Sequence, residues 1–237
     1  MIEPLPQAIL VDLDDTIIAL TDSIGPCWEG LCAQFAPRCE GLTAEELLAA
    51  IDASNAWFWS DPERHRQGRL YLEDSLTEIV ARALAGLDVD DPALAREMAE
   101  AFTPELRSRL CPFSGAVEAL QYLREQGVRL ALISNGSAAG QRAKVDRFDL
   151  EPLFDCIVIE GEFGLGKPDA RVFCHALECL GIPPEQVWMV GDDLEADIAA
   201  AQRLGIYAIW HDYAGRGLPT DSSVRPDRII RSLDELA

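Results

Sequence analysis

Positive charge is scarce in this sequence. Twenty Lys and Arg stand against 41 Asp and Glu over 237 residues, a net charge of -21. A field of that sign repels polyanions, so nucleic acid and anionic membrane are excluded as expected partners. Small phosphorylated molecules stay open, because a local cation can override the global field. Paired cysteines are also lacking. The seven Cys are odd in number and scattered, and none form a CxxC pair. That argues against structural zinc and against a disulfide framework, and for reduced thiols in a cytoplasmic protein. Cys174 and Cys179 fall in a predicted helix. The three histidines, His65, His175 and His211, show no ligand spacing and are assigned to no metal. No apolar run is long enough to span a membrane, and no basic region precedes an apolar stretch as in a secretory leader. Internal repeats and low-complexity segments are missing too.

Hydrophobic residues make up 49% of the chain, enough to build a core. Ala8-Ile9-Leu10-Val11 reads as a buried strand leading into Asp12-Leu13-Asp14-Asp15-Thr16. From about Thr21 to Leu110 the apolar residues recur at helical spacing, as in Leu47, Leu48 and Ile51, or Leu72, Leu76, Ile79 and Val80. Gly41, Asp61-Pro62 and Asp91-Pro92 punctuate that stretch into several helices. Beyond Cys111-Pro112 the rhythm changes. Ser114 is placed to cap a helix carrying Val117, Leu120 and Leu123, with Gly127 ending it. Strands are predicted at Val128–Ile133, Cys156–Ile159, Val187–Val190, Ile206–Trp210 and Arg228–Ile230. Helices are predicted over Asp169–Leu180 and around Ala196–Leu204. Ser232 and Glu235 have capping-box spacing for a closing helix.

Alternating strands and helices imply an α/β fold, a Rossmann-like parallel sheet covered by helices on both faces. The core is expected over residues 1–17 and 111–237, with an all-helical insert over 18–110. In such sheets ligands lie beyond the carboxyl ends of the strands. Those ends carry Asp12, Asp14 and Asp15, then Ser134-Asn135-Gly136, then Lys167-Pro168, then Gly191-Asp192-Asp193 with Asp197 a helical turn later. Crowded carboxylates at strand ends repel one another unless something positive offsets the cost. A hydroxyl, backbone amides, one Lys and several carboxylates on one edge suit a phosphoryl group together with a divalent cation. The bland alternatives are an Asp-rich surface turn for Asp12 and Asp14, and a helix cap for Ser134. A solvated helix face is the alternative for Arg64-His65-Arg66 and Arg69. Trp57-Phe58-Trp59 could line a pocket or simply pack.

These stretches resemble the signature motifs of the haloacid dehalogenase (HAD) superfamily. Asp12-Leu13-Asp14-Asp15-Thr16 is similar to its nucleophile loop, Ser134 to its Ser/Thr after the second strand, and Lys167-Pro168 to its third motif. Gly191-Asp192-Asp193 through Asp197 is similar to its fourth. The insert looks like the helical C1 cap of one branch of the family. Within that branch the chain looks most like the phosphatases that include N-acylneuraminate-9-phosphatase and the pyrimidine nucleotidases. The resemblance implies an Mg²⁺-dependent phosphatase acting on a small phosphorylated metabolite. Asp12 is then the nucleophile that forms an aspartyl-phosphate, and Asp14 the general acid and base. Mg²⁺ is held by Asp12, the Asp14 backbone carbonyl and Asp192, with Asp193 or Asp197 as outer ligands or orienters. Ser134, the Asn135 and Gly136 backbone, and Lys167 hold the phosphoryl oxygens. A phosphomutase, a carbon–halogen hydrolase and, from another class, a phospho-receiver module remain alternatives. The halide branch lacks an acid/base Asp two residues after its nucleophile, and Asp14 stands at that position here.

Overall fold

A computed structural model describes residues 5–236. Positions 1–4 and 237 of the expected core lie outside the described residues. The chain divides into two compact units. One runs to Ala19 and resumes at Cys111; the other is Leu20–Leu110.

The first unit is built on six parallel strands: β1 (Ala8–Val11), β2 (Arg129–Ser134), β3 (Cys156–Ile159), β4 (Val187–Gly191), β5 (Tyr207–His211) and β6 (Arg228–Ile230). Their spatial order is β3-β2-β1-β4-β5-β6. Every residue of β1 is fully buried, which its unbroken apolar sequence requires of a central strand. After β1 the chain fills one side of the sheet with β2 and β3. It then returns to build β4, β5 and β6 on the other side. The crevice at such a reversal is where open α/β sheets bind ligands.

Helices α6 (Ala116–Glu125), α7 (Ala138–Arg147), α8 (Glu160–Phe163), α9 (Ala170–Leu180) and α10 (Ala200–Gln202), the last continuing a π-helical stretch over Leu194–Ala199, connect the strands. Val172, Phe173, Ala176 and Leu180 of α9 pack with Ile198 of the π-helical stretch and Ala200 and Ala201 of α10 against Leu10, Ile133 and Met189 of the sheet. Three local expectations are corrected. Gly115, in the left-handed region at φ 78°, precedes α6 without a side-chain cap, so Ser114 does not cap it. Ser137, not Ser134, caps α7 by accepting from the Gly140 amide. The helix expected around Ala196–Leu204 begins earlier, as wide turns over Leu194–Ala199 with the Ile198 amide donating to Asp193 O at 3.2 Å, before α10 tightens from Ala200. Ser232 and Glu235 do meet at the expected spacing, but around a short 3₁₀ turn, Leu233–Leu236.

The second unit holds α1 (Thr21–Phe35), α2 (Ala44–Trp59), α3 (Pro62–Gly68), α4 (Leu72–Ala85) and α5 (Pro92–Arg109). Its breaks follow the chemistry of the sequence. Thr43 and Glu46 form a reciprocal capping box at the start of α2. Asp61 and Asp91 cap helices whose first residue is Pro, where no amide donor is needed. Leu47, Ile51, Leu76, Ile79, Val80, Leu94 and Met98 fill its interior. Trp28 and Phe102 pack with ring centroids 4.4 Å apart.

Candidate active site

The strand ends deliver the candidate residues to one place. The Asp12 amide donates to Val190 O, which ties the end of β1 to the end of β4. Beyond it the chain turns tightly: the Ile17 and Ile18 amides both donate to Leu13 O, and the Asp15 amide to Ile18 O. Asp15 sits at φ 57°, a conformation Asp tolerates better than most side chains. Its carbonyl accepts from Nδ1 of the buried His211 at 2.9 Å, so its work is to shape the turn.

Lys167 lies at the centre, 3% exposed. Its Nζ is 2.5 Å from Asp12 Oδ1 and 2.6 Å from Asp197 Oδ1. The loop that carries it is held by Asn135. The Asn135 side-chain amide donates to Lys167 O at 2.9 Å, and its Oδ1 accepts from the Lys167 amide at 2.7 Å. Thr16 Oγ1 donates to the second Asp12 oxygen at 3.3 Å. Asp192 joins through its backbone, whose carbonyl accepts from Trp210 Nε1 at 2.7 Å. Gly191 is required here because a Cβ on it would overlap the Asp197 carboxylate.

One ligand atom each from Asp12, Asp192 and Asp197 lies within 4.8 Å of the others. Burial pushes Asp12 up to about 7, partly opposed by Lys167 and reinforced by Asp197. Burial and then the Asp12 charge push Asp192 up to about 9. Asp197 is raised as well, again by burial first. Burial disfavours the Lys167 ammonium, but the charges of Asp12 and Asp197 outweigh that and leave its pKa raised. Three carboxylates around one ammonium leave two uncompensated negative charges when ionised. A cluster of hard oxygen donors with that imbalance fits a divalent cation such as Mg²⁺.

The remaining expected residues separate. Ser134 is buried at the end of β2, and its Oγ accepts from Gln141 Nε2 at 2.6 Å. The Gly136 amide donates to the buried Glu160 carboxylate at 2.9 Å, so it is not an open donor as expected. Asp193 turns to its own helix and accepts from the Glu195 and Ala196 amides at 2.8 Å, which makes it an N-cap. Asp197 accepts from the Asp193 amide at 3.1 Å and so bridges that helix start to Lys167.

Asp14 has partners that sequence reasoning missed. Both its oxygens lie 2.7 Å from Lys144 Nζ, and Oδ2 accepts from Gln141 Nε2 at 2.9 Å. Gln141 and Lys144 lie on one face of α7, three residues apart. Gln141 therefore ties Ser134 to Asp14. His175 and Cys179 stand one helical turn apart on α9, with Cys156 of β3 beside them.

In the helical unit the Arg-rich segment serves packing. Arg64 donates to the carbonyls of Trp57 and Phe58, and both Arg64 and Arg82 stack on the Trp57 ring at 4.1 Å. Arg66 pairs with the exposed Glu63 at 2.8 Å. Phe58 is buried and Trp59 Nε1 donates to Asn55.

A parallel sheet with acidic strand ends gathered on a buried Lys defines a hydrolase site of a recognisable kind. Residues 6–205 match the model of the haloacid dehalogenase-like hydrolases, and the chain belongs to that family. It is 34% identical to phosphoserine phosphatase of Thermus thermophilus, over 97% of each chain. It is 31% identical to the pyrimidine 5'-nucleotidase YjjG of Escherichia coli, over 96% of this chain and 95% of that one. Among solved structures, its fold matches the HAD-hydrolase YfnB of Bacillus subtilis bound to magnesium. The TM-score is 0.72 at 22% identity, covering 98% of this chain and 97% of that one.

Proposed function

We propose that this protein is an Mg²⁺-dependent phosphatase that hydrolyses a small phosphorylated metabolite through an aspartyl-phosphate on Asp12. The observation that carries the reading is the buried Asp12–Lys167–Asp197 ion cluster beside Asp192. Asp12, the Asp14 backbone carbonyl and Asp192 would hold Mg²⁺, which when bound neutralises carboxylates and phosphoryl oxygens together. Asp12 Oδ attacks phosphorus and the ester oxygen leaves, taking a proton from Asp14. Asp14 then accepts a proton from water as that water displaces the phosphoryl group from Asp12. Lys167, Ser134 Oγ and the Asn135 amide hold the phosphoryl oxygens as charge shifts among them. Gln141 and Lys144 position the Asp14 carboxylate for both proton transfers. Asp197 fixes Lys167, and the helical insert takes the part of a substrate-selecting cap.

The names of the relatives guide the choice of substrates. Phosphoserine, pyrimidine 5'-monophosphates, glyceraldehyde 3-phosphate and N-acylneuraminate 9-phosphate form the natural first panel. The reading predicts Mg²⁺-dependent phosphate release from at least one of them, abolished in Asp12→Asn. Release that survives Asp12→Asn overturns the mechanism, and transfer of the phosphoryl group to a second substrate hydroxyl would make the protein a mutase. No helix among the described residues is long and apolar enough to cross a membrane. With seven unbridged cysteines, a cytoplasmic location is the reading we favour.

A further inference from the structure

A second cluster of ligating side chains lies against the edge strand β3. Cys156 opens β3, an edge strand, while the carboxylate cluster is reached from the carboxyl ends of β1 and β4. Helix α9 starts just after Lys167 and runs back along the sheet, so its last turn, with Cys179, lies toward the amino ends of the strands. His175 Nε2 and Cys179 Sγ are 3.6 Å apart. One ligand atom each from Cys156, His175 and Cys179 lies within 4.8 Å of the other two. Phe163 stacks on the His175 ring at a centroid distance of 4.8 Å and limits its rotation.

Zinc bonds of about 2.3 Å to sulfur and about 2.0–2.1 Å to nitrogen, spread tetrahedrally, place S and N about 3.6 Å apart. The His175–Cys179 pair already has that spacing. Two sulfurs and one imidazole nitrogen are soft to borderline donors, unlike the oxygen set around Asp12. We propose that Cys156, His175 and Cys179 form a surface site for a thiophilic d¹⁰ cation, Zn²⁺ foremost, distinct from the hard-cation site at Asp12 and Asp192. Two S–Zn bonds and one N–Zn bond form, both thiol protons pass to solvent, and water completes the fourth position. Cys179 is exposed and Cys156 and His175 are half-buried, which makes the ion exchangeable rather than locked in the core.

Co²⁺ titration of the reduced, full-length protein tests this, because thiolate–Co²⁺ charge transfer gives an ultraviolet band that oxygen ligands do not. The site predicts such a band at one equivalent, displaced by Zn²⁺ and left in place by excess Mg²⁺. Cys179→Ser and His175→Asn, both at positions with solvent access, should each weaken the apparent affinity at least about tenfold. The same variants should retain Mg²⁺-dependent phosphatase turnover, since they lie outside that machinery. Absence of the charge-transfer band, or an unchanged apparent affinity in both Cys179→Ser and His175→Asn, overturns the proposal. Activity plays no part in the primary readout, so its failure is separable from failure of the phosphatase reading.

Discussion

The two units treat charge in opposite ways. Every buried Asp, Glu or Lys among the described residues lies in the α/β unit: Asp12, Asp15, Glu160, Lys167, Asp197 and Asp212. The helical unit buries only Ser23, Ser54 and Ser75 among its polar side chains. Its ion pairs, such as Arg66–Glu63 and Arg38–Glu97, are exposed. Taking a charge out of water costs several kcal/mol, so an apolar core avoids it unless a partner or a ligand compensates. The helical unit obeys that rule throughout. The α/β unit breaks it at the strand ends, and the breach marks the site.

Substitutions can break the contrast in order of size. Asp12→Asn should lower the turnover number at least about 10⁴-fold, because it removes the carboxylate proposed to attack phosphorus. Lys167→Met leaves Asp12 and Asp197 facing each other without a cation. Chemical denaturation should show a loss of about 3–5 kcal/mol, as expected for one partner removed from a buried pair. Lys144→Met and Gln141→Leu release Asp14 without touching Asp12. Steady-state kinetics should show turnover reduced about 10–100-fold with KM little changed, and Lys144→Arg should recover part of it. A large rise in KM instead would assign Lys144 to substrate binding. Glu63→Gln, in the helical unit, should leave the melting temperature unchanged, because exposed pairs contribute little.

Acidity sharpens the same contrast. Folded Asp12 is held up at about 7 and Asp192 at about 9. Unfolded carboxylates titrate near pH 4. Between those limits the metal-free folded protein binds more protons than the unfolded chain, so its stability falls as pH rises. On the proposed function, Mg²⁺ would take over the role of the lost protons. Its effect on the melting temperature should therefore be larger at pH 9 than at pH 6. A shift that is flat or shrinks with pH would contradict the assignment of the cluster to a cation.

What the sequence discloses follows the same physics. β1, β3 and β4 are legible because unbroken apolar runs of strand length have few other uses. Asp12, Lys167 and Asp192 are legible because each follows or flanks such a run in order. α7 is not legible, because only Gln141 and Val145 of its ten residues are buried and no apolar stripe marks it. Gln141 and Lys144 were hidden with it, their bonds to Asp14 spanning 127 and 130 positions. The roles of Asp193 as a cap and of the Gly136 amide as a partner of Glu160 depend on backbone direction. Residue order does not encode that by itself. Cys156 and Cys179 meet only because α9 packs beside β3.

The most direct test traps the phosphoenzyme. On the proposed mechanism Asp14→Asn keeps the nucleophile and removes the base that would activate water, so it should accumulate a hydroxylamine-sensitive phosphoryl group when given substrate and Mg²⁺. Peptide mass spectrometry should place that group on Asp12. Finding it on another residue, or finding turnover with no phosphoenzyme and full activity in Asp12→Asn, would contradict the account.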